Sequence, residues 1–337
     1  MKTTVRMIAK MANTSAATVS RYLSGAGSVN PKTAKRIDEA VLETGYTVKS
    51  GRERISTELS KMVMVISSDL SSQVFIDYYL GINDYLRSKD YHCVESYSNF
   101  DVDRIIGDLL YASANRFGGV VLLNISESPE LIAALKKTTC PVIFVNRFLR
   151  SAEVDTVCVD NYQGGYAATK YLIDAGHKKI IHLSGITTSV VSQDRLLGFY
   201  DAMMDAKLAP EDKNIFNGDL TEDSGIRLGK KLIDGSLDCT AIFVANDKMA
   251  VGLANYLHTH GKRIPEDYSI ISFDTTPLAK NACVRLTTVS FNSYNMGLAA
   301  GEMLYNKMTA ADPINMVPKK LVYPAAIDEG DSVSFRK

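Results

Sequence analysis

Two sets of residues in this chain have the types and spacing to do chemistry. The first lies in TSAATVSRYLSGAG, residues 14–27. Val19 and Leu23 are four apart and would share the buried side of a helix. The remaining side chains are hydroxyls, two alanine methyls and one guanidinium. Such a set matches the edge of a DNA major groove. The methyls of Ala16 and Ala17 can meet thymine methyls, and Arg21 can reach guanine O6 and N7 or a phosphate. Ser15, Thr18 and Ser20 can bond phosphates or base edges. A plain three-helix bundle with a weakly charged surface would carry the same pattern without that role.

The second set consists of polar residues standing directly after short apolar runs. Ser68 and Asp69 follow MVMVIS, and Asn124 follows GGVVLL. Asn146 and Arg147 follow CPVIFV, Asp160 follows TVCV, Asn246 and Asp247 follow AIFVA, and Asp274 follows SIISF. Arg195 stands before an amphipathic helix. Amides, carboxylates and a guanidinium supply both donors and acceptors, as a neutral polyhydroxyl compound requires. Asn and Asp at strand ends are also frequent helix caps, so each position has a structural alternative.

Catalytic chemistry finds little footing. There is no nucleophile elbow, no metal-ligand cluster, and no carboxylate pair that spacing brings together. Cys93, Cys140, Cys158, Cys239 and Cys283 are odd in number, far apart and without a CxxC pair, which reads as buried reduced thiols. His177, after Gly176 at a helix end, reads as structural. Gly164–Gly165 lacks both G-x-G-x-x-G and the Walker lysine, so nucleotide binding is not expected. No metal and no cofactor are expected, and the chain is not expected to be an enzyme.

The elements that position the first set form a small basic head. Net charge is zero over the chain, but residues 1–60 hold ten basic and five acidic side chains, +5 against −5 for the rest. A basic head on an acidic body suits a polyanion. Residues 4–12 read as a helix with Val5, Ile8, Ala9 and Ala12 on one side. Asn13 suits a left-handed turn, and Ser15 suits an N-cap. Ala9, Asn13 and Val19 have helix-turn-helix spacing. Asn30 and Pro31 open a third helix with Ile37, Ala40 and Val41 inward, ended by Gly45, with Tyr46 packing back.

The elements that position the second set alternate in kind. FIDYYLGINDYLRSKD, VDRIIGDLLYASANRF and PELIAALKKT read as helices between buried strands. After TVCVDN the alternation restarts, through KKIIHLSG, DRLLGFYDAMMDAKL, KMAVGLANYLHTHG and YSIISFD. The fold class is α/β: two doubly wound parallel sheets in series behind an all-α head. Ligands of such sheets sit beyond the carboxyl ends of the strands. The opening MKTTVRMIAKMANTS has no secretory apolar stretch, and no segment reaches the roughly 18 apolar residues of a membrane span. A soluble cytoplasmic protein, with no membrane partner, is expected.

VRMIAKMANTSAATVSRYLSGAGSVNPKTAKRIDEAVLETGY closely resembles the DNA-binding head of the lactose-repressor (LacI/GalR) family, and DNYQGGYAATKYLIDAGHKKI, RLLGF, IFVANDKMAVG and IPEDYSIISFD resemble its effector core, which is similar to periplasmic sugar-binding proteins. The resemblance covers essentially the whole chain. It implies a helix-turn-helix domain over 1–48, a hinge over 49–60, and a two-lobed core over 61–337. Lobe 1 would take about 61–160 and 291–320, and lobe 2 about 161–290 and 321–337. In that family the first two residues and the arginine of the second helix read the groove, which carries over to Ala16, Ala17 and Arg21. Arg6, Ser28 and Arg52 are expected as further DNA contacts. Ile55 falls where a leucine wedges into the minor groove from a short hinge helix. The hinge departs from the family at Gly51 and in its missing Pro-Asn opening.

For the core, the resemblance places Arg195, Asn246 and Asp274 on sugar hydroxyls. Asn146 falls where an acidic contact is frequent, and Phe75 where an aromatic borders the pocket. Leu220 stands where the family often has a stacking aromatic, and the chain has no Trp. Ser68 completes the expected effector set. The implied function is a transcription repressor that binds double-stranded operator DNA under control of a sugar-like effector. A homodimer is expected, because VYPAAIDEGDSVSFRK lacks the leucine-heptad helix of the family's tetramers. The alternative is a solute-binding module for sugar uptake with no DNA-binding role.

Overall fold

The computed structural model describes residues 4–23, 29–44, 60–210, 212–311 and 316–336. Two compact units divide between Leu59 and Ser60. The first holds α1 (Val5–Met11), α2 (Ala16–Leu23) and α3 (Pro31–Thr44). Ile8, Ala12, Val19 and Ile37 are fully buried and form its core. Asn13 takes a positive φ of 46° at the turn between α1 and α2. Asn30 opens α3, its side chain accepting the Lys32 amide at 2.9 Å. Tyr22 donates to Asp38 at 2.8 Å and ties α2 to α3. Ser28, Gly45, Tyr46, Gly51, Arg52 and Ile55 lie outside the described residues, as does the hinge apart from Ser60.

The second unit begins with β1 (Ser60–Ser67), α4 (Gln73–Arg87), β2 (His92–Tyr97), α5 (Val102–Ala114), β3 (Phe117–Leu123), α6 (Pro129–Leu135), β4 (Val142–Val145) and β5 (Asp155–Val159). β1, β3 and β4 are apolar nearly throughout and buried on both faces, which is what a parallel sheet covered by helices demands. The chain then enters a second lobe with α7 (Asn161–Asp174), β6 (Ile180–Ser184), α8 (Val190–Asp205), β7 (Ile215–Asn217), α9 (Glu222–Ile233), β8 (Ala241–Val244), α10 (Asp247–Thr259), β9 (Ser269–Phe273), α11 (Pro277–Lys280) and β10 (Thr287–Ser290). It returns through α12 (Ser293–Met308) and β11 (Lys320–Tyr323), and ends in the second lobe with β12 (Ala326–Asp328).

The two six-stranded sheets run β11-β5-β4-β3-β1-β2 and β12-β10-β9-β8-β6-β7. All their pairings are parallel except β10 with β12. β11 pairs with β5 in register Lys320 to Thr156. The last crossing between lobes therefore falls after Tyr323, a few residues beyond the expected 320.

Helix contacts explain the double glycine. α7 and α8 are closely packed, and a Cβ on Gly165 would run into the Arg195 carbonyl oxygen, while one on Gly198 would meet that of Tyr162. Gly165 thus lets α7 lie close against α8, while Gly164 leaves room for the Phe273 ring of the sheet below. His177 is buried, its ring bonded to the Thr240 hydroxyl at 2.9 Å and the Ser334 carbonyl at 3.2 Å. Its role is structural, through partners other than its own helix. All five cysteines are free thiols, but only Cys140, Cys158 and Cys239 are buried, with Cys93 half-buried and Cys283 exposed.

Candidate DNA-reading helix and interlobe cleft

α2 is held at its start by Ser15, whose Oγ accepts the Thr18 amide at 3.0 Å and lies 2.8 Å from the Thr18 hydroxyl. One cap of this kind stabilises a helix by about 1 kcal/mol. It also commits part of the hydrogen-bonding capacity of both hydroxyls to each other. Ala17, Ser20 and Arg21 are exposed, and so is Arg6 on α1. Ala16 and Thr18 are half-buried, Ala16 against the head's core. The expected reading set is thus presented unevenly, with Ala17, Ser20 and Arg21 outermost.

The strand ends converge on a cavity of about 350 Å³ between the two lobes. Phe75, Asn146, Arg195, Leu220, Asn246 and Asp274 all line it. Ser68 does not. It is buried below the surface, with its Oγ 3.4 Å from that of Ser98, while the next residue, Asp69, reaches the cavity. The first residue after β1 packs against the neighbouring loop, and only the one after that reaches the cavity.

Arg195 is the best-fixed group in the cleft. Its Nε donates to Asn161 Oδ1 at 2.9 Å, Nη1 donates to the Ala245 carbonyl, and Nη2 lies 3.6 Å from Asp274 Oδ1. Its guanidinium carbon stands 3.5 Å above the Phe273 ring centroid. Burial pulls its pKa down. Burial also lifts the Asp274 carboxyl to about 7, against the pull of Arg195. Asp274 holds a φ of 113° and Thr275 one of 60°. A non-glycine residue is strained there, and such strain persists only where surroundings over-determine it. Asp247 does that. Its buried carboxylate accepts the Thr276 amide at 2.6 Å and the hydroxyls of Ser272, Thr276 and Thr288. Asp247 therefore positions the loop and does not face the cavity.

Asn246 caps α10 through the Met249 amide at 3.0 Å and donates Nδ2 to the Leu220 carbonyl at 3.1 Å. Asp160 is a cap only, accepting the Gln163 amide. Asn124 and Asn146 both sit at positive φ and bond each other at 3.2 Å. The lobes also touch directly, Lys248 donating to Ser71 at 2.6 Å and Arg150 lying 3.9 Å from Asp194.

Several lining residues were not anticipated, among them Tyr97, Phe100, Lys248 and Phe291. Tyr97 ends β2 and Phe100 stands three residues beyond it, so a rule that picks polar residues directly after strands passes over both. Phe291 lies at the crossing between lobes, which only the topology reveals. With Phe75 these rings give the cleft four aromatic faces, so Leu220 and the absence of Trp do not leave it without a stacking surface. Among the described residues no three His, Cys, Asp or Glu side chains gather as a metal site, and no helix is long and apolar enough to cross a membrane.

Comparison with known proteins agrees with both units. Residues 4–48 match the family described as bacterial regulatory proteins, lacI family, and residues 169–333 match a periplasmic binding protein-like domain. Catabolite control protein A of Priestia megaterium is 29% identical over 327 residues, 96% of this chain and 98% of that protein. The transcriptional repressor PurR of Aliivibrio salmonicida is 28% identical over 306 residues, covering 90% and 92%. The structure of a CelR–cellobiose complex superposes with a TM-score of 0.73 at 26% identity, over 98% of this chain and 99% of that one.

Proposed function

Since the chain belongs to the lacI family of bacterial regulatory proteins and is a DNA-binding transcriptional regulator, we propose that it is a repressor whose operator affinity is set by a polyhydroxyl effector held between the core lobes. The carrying observation is the cavity itself, where Arg195, Asn246 and Asp274 of one lobe face Phe75 and Asn146 of the other. A ligand that touches both lobes binds their closed and open arrangements unequally, and that inequality is what couples it to another site. The CelR–cellobiose complex supports a sugar at this place, and the PurR relatives support repression.

On the DNA side, Ala17, Ser20 and Arg21 are the proposed base-edge and phosphate readers, with Ala16, Ser15, Thr18 and Arg6 beside them. Ser28, Arg52 and the wedge residue Ile55 remain part of the proposal from the sequence. A homodimer would present two heads to a pseudo-palindromic site. Ile76 and Leu80, one turn apart on α4, and Val94 on β2 leave apolar surface exposed in lobe 1, which suits such pairing. Analytical ultracentrifugation of the full chain tests the dimer. Melting of the full chain against a panel of sugars, followed by duplex binding with each stabilising compound, tests the effector. If no panel member changes both melting and duplex affinity, the effector half of the reading is wrong. A solute-binding role alone would leave the exposed face of α2 without a purpose.

A further inference from the structure

One guanidinium in the cleft has no counter-charge. Arg147 lines the cavity and is only 8% exposed. Its Nε donates to Asn124 Oδ1 at 2.7 Å and its Nη1 to Ser126 Oγ at 2.5 Å. Both acceptors are neutral. No carboxylate among the described residues lies within 4.0 Å of it, and Nη2 has no acceptor there. Nη2 is not one of the side-chain atoms sealed away without a partner, so it keeps some exposure on a residue that lines the cavity.

The carboxylates that line the same cavity are already engaged. Asp274 faces Arg195. Asp219 holds Arg227 at 2.9 Å. Asp69 accepts the Ser71 amide at 2.7 Å. A second cation, Lys248, enters from the other lobe and bonds only the neutral Ser71 hydroxyl. Burial and the charge of Arg195 lower the Arg147 pKa to about 10, which leaves it charged at neutral pH.

Holding a cation away from water without a partner is costly, and natural sites offset that cost with an opposite charge. The outer edge of a guanidinium whose other nitrogens are pinned is a preformed fork for a planar or tetrahedral oxyanion. We infer that the compound this cleft takes carries an oxyanion, a phosphate ester or a carboxylate, seated on Arg147 in a cavity that Lys248 also lines. The inference rests on the cleft being the effector site and narrows its ligand from neutral sugars to acidic sugar derivatives.

The test uses the full chain and matched compounds: glucose, glucose 6-phosphate and glucuronate; ribose, ribose 5-phosphate and ribonate; cellobiose and cellobionate. Inorganic phosphate is included, with sodium chloride at equal ionic strength as reference. Melting temperature is followed as a function of concentration. An anionic member is expected to stabilise at a concentration at least tenfold below its neutral parent. The ester and acid arms then tell phosphate from carboxylate recognition.

Arg147→Gln should weaken the anionic compound roughly ten- to hundredfold more than it weakens the neutral parent, the loss of one charge-assisted pair. Arg147→Lys should fall between, because charge is kept and the fork is lost. Cooperative melting of each variant shows that it folds. A neutral parent that binds as well as its anionic partner overturns the inference and leaves the effector reading intact. So does an Arg147→Gln protein that binds the anion as the wild type does. If no anion, inorganic phosphate included, shifts the wild type, the inference falls. The effector reading falls with it only if the neutral sugars also change neither melting nor duplex affinity.

Discussion

Arg195 and Asp274 meet across 3.6 Å at the floor of the interlobe cleft, Arg195 buried on α8 and Asp274 half-buried on the strained loop after β9. The family resemblance brings both to one site, but their direct pairing is not legible in the sequence, where 78 positions lie between them. Their contact joins the helix that Gly165 seats to the loop that Asp247 holds.

The pair makes stability depend on pH in a definite direction. Burial raises the Asp274 carboxyl to about 7, so between about pH 4 and 7 the folded chain holds a proton that the unfolded chain releases. This contribution is full below about pH 4 and is lost as pH rises through 7. Asp274→Asn removes it. From pH 5 to pH 8 the wild type should lose on the order of 2 kcal/mol more than the Asn variant, measured by denaturant unfolding at each pH. Equal losses in the two proteins would show that the carboxyl titrates in its ordinary range.

The same residue should be needed for the effector response. Asp274→Ala leaves Arg195 buried beside an empty position, so a loss of stability of about 3 kcal/mol accompanies it. Asp274→Asn keeps the shape and is the cleaner probe. Both should bind duplex DNA as the wild type does and fail to change that affinity when effector is added, in fluorescence-anisotropy titrations. A normal response from the Asn variant would place ligand recognition elsewhere.

Gly165→Ala puts a methyl into the Arg195 backbone. Overpacking of this kind costs about 1–3 kcal/mol. Because the strain falls on the helix that carries Arg195, effector affinity should drop more than the melting temperature alone implies. Gly107→Ala on α5 meets nothing within 4 Å and is the matched control, expected to be neutral or slightly stabilising. Thermal melting and ligand titration of the two variants decide the matter.

The architecture was largely readable from the chain. The apolar runs at β1, β3, β4, β6, β8 and β9 are long enough and pure enough to declare buried parallel strands. Elements that depend on company rather than on their own pattern were not foreseen. β7 is three residues and only partly buried. α9, EDSGIRLGKKLI, hides its packing face in Gly225 and Gly229, which pattern reading scores as helix breakers. β11 is largely exposed and β12 only partly buried, and both gain their identity from their partners β5 and β10. For the cleft, the strand-end rule found the polar residues and could not rank them. Whether an Asx side chain caps a helix, as Asp160 does, braces a loop, as Asp247 does, or faces the cavity, as Asp274 does, is decided by backbone angles at one or two residues.

On the DNA side, Arg21 is exposed on α2, and Arg21→Ala should weaken specific duplex binding by about 1–3 kcal/mol, roughly five- to 150-fold. Ligand binding in the cleft, measured without DNA, should be untouched, since Arg21 lies in the other compact unit. An unchanged ratio of specific to nonspecific affinity at fixed salt would remove Arg21 from the reading set.

The central claim is that the cleft and the head share one equilibrium, and a single titration addresses it. Duplexes are first selected from a random pool with the full chain, and the affinity for the best site is then measured at fixed salt with and without a saturating compound that raises the melting temperature. A pseudo-palindromic site whose affinity shifts by roughly five- to 150-fold is the predicted result. An affinity identical in the presence and absence of a saturating cleft ligand, or a pool from which no specific site emerges, would contradict it.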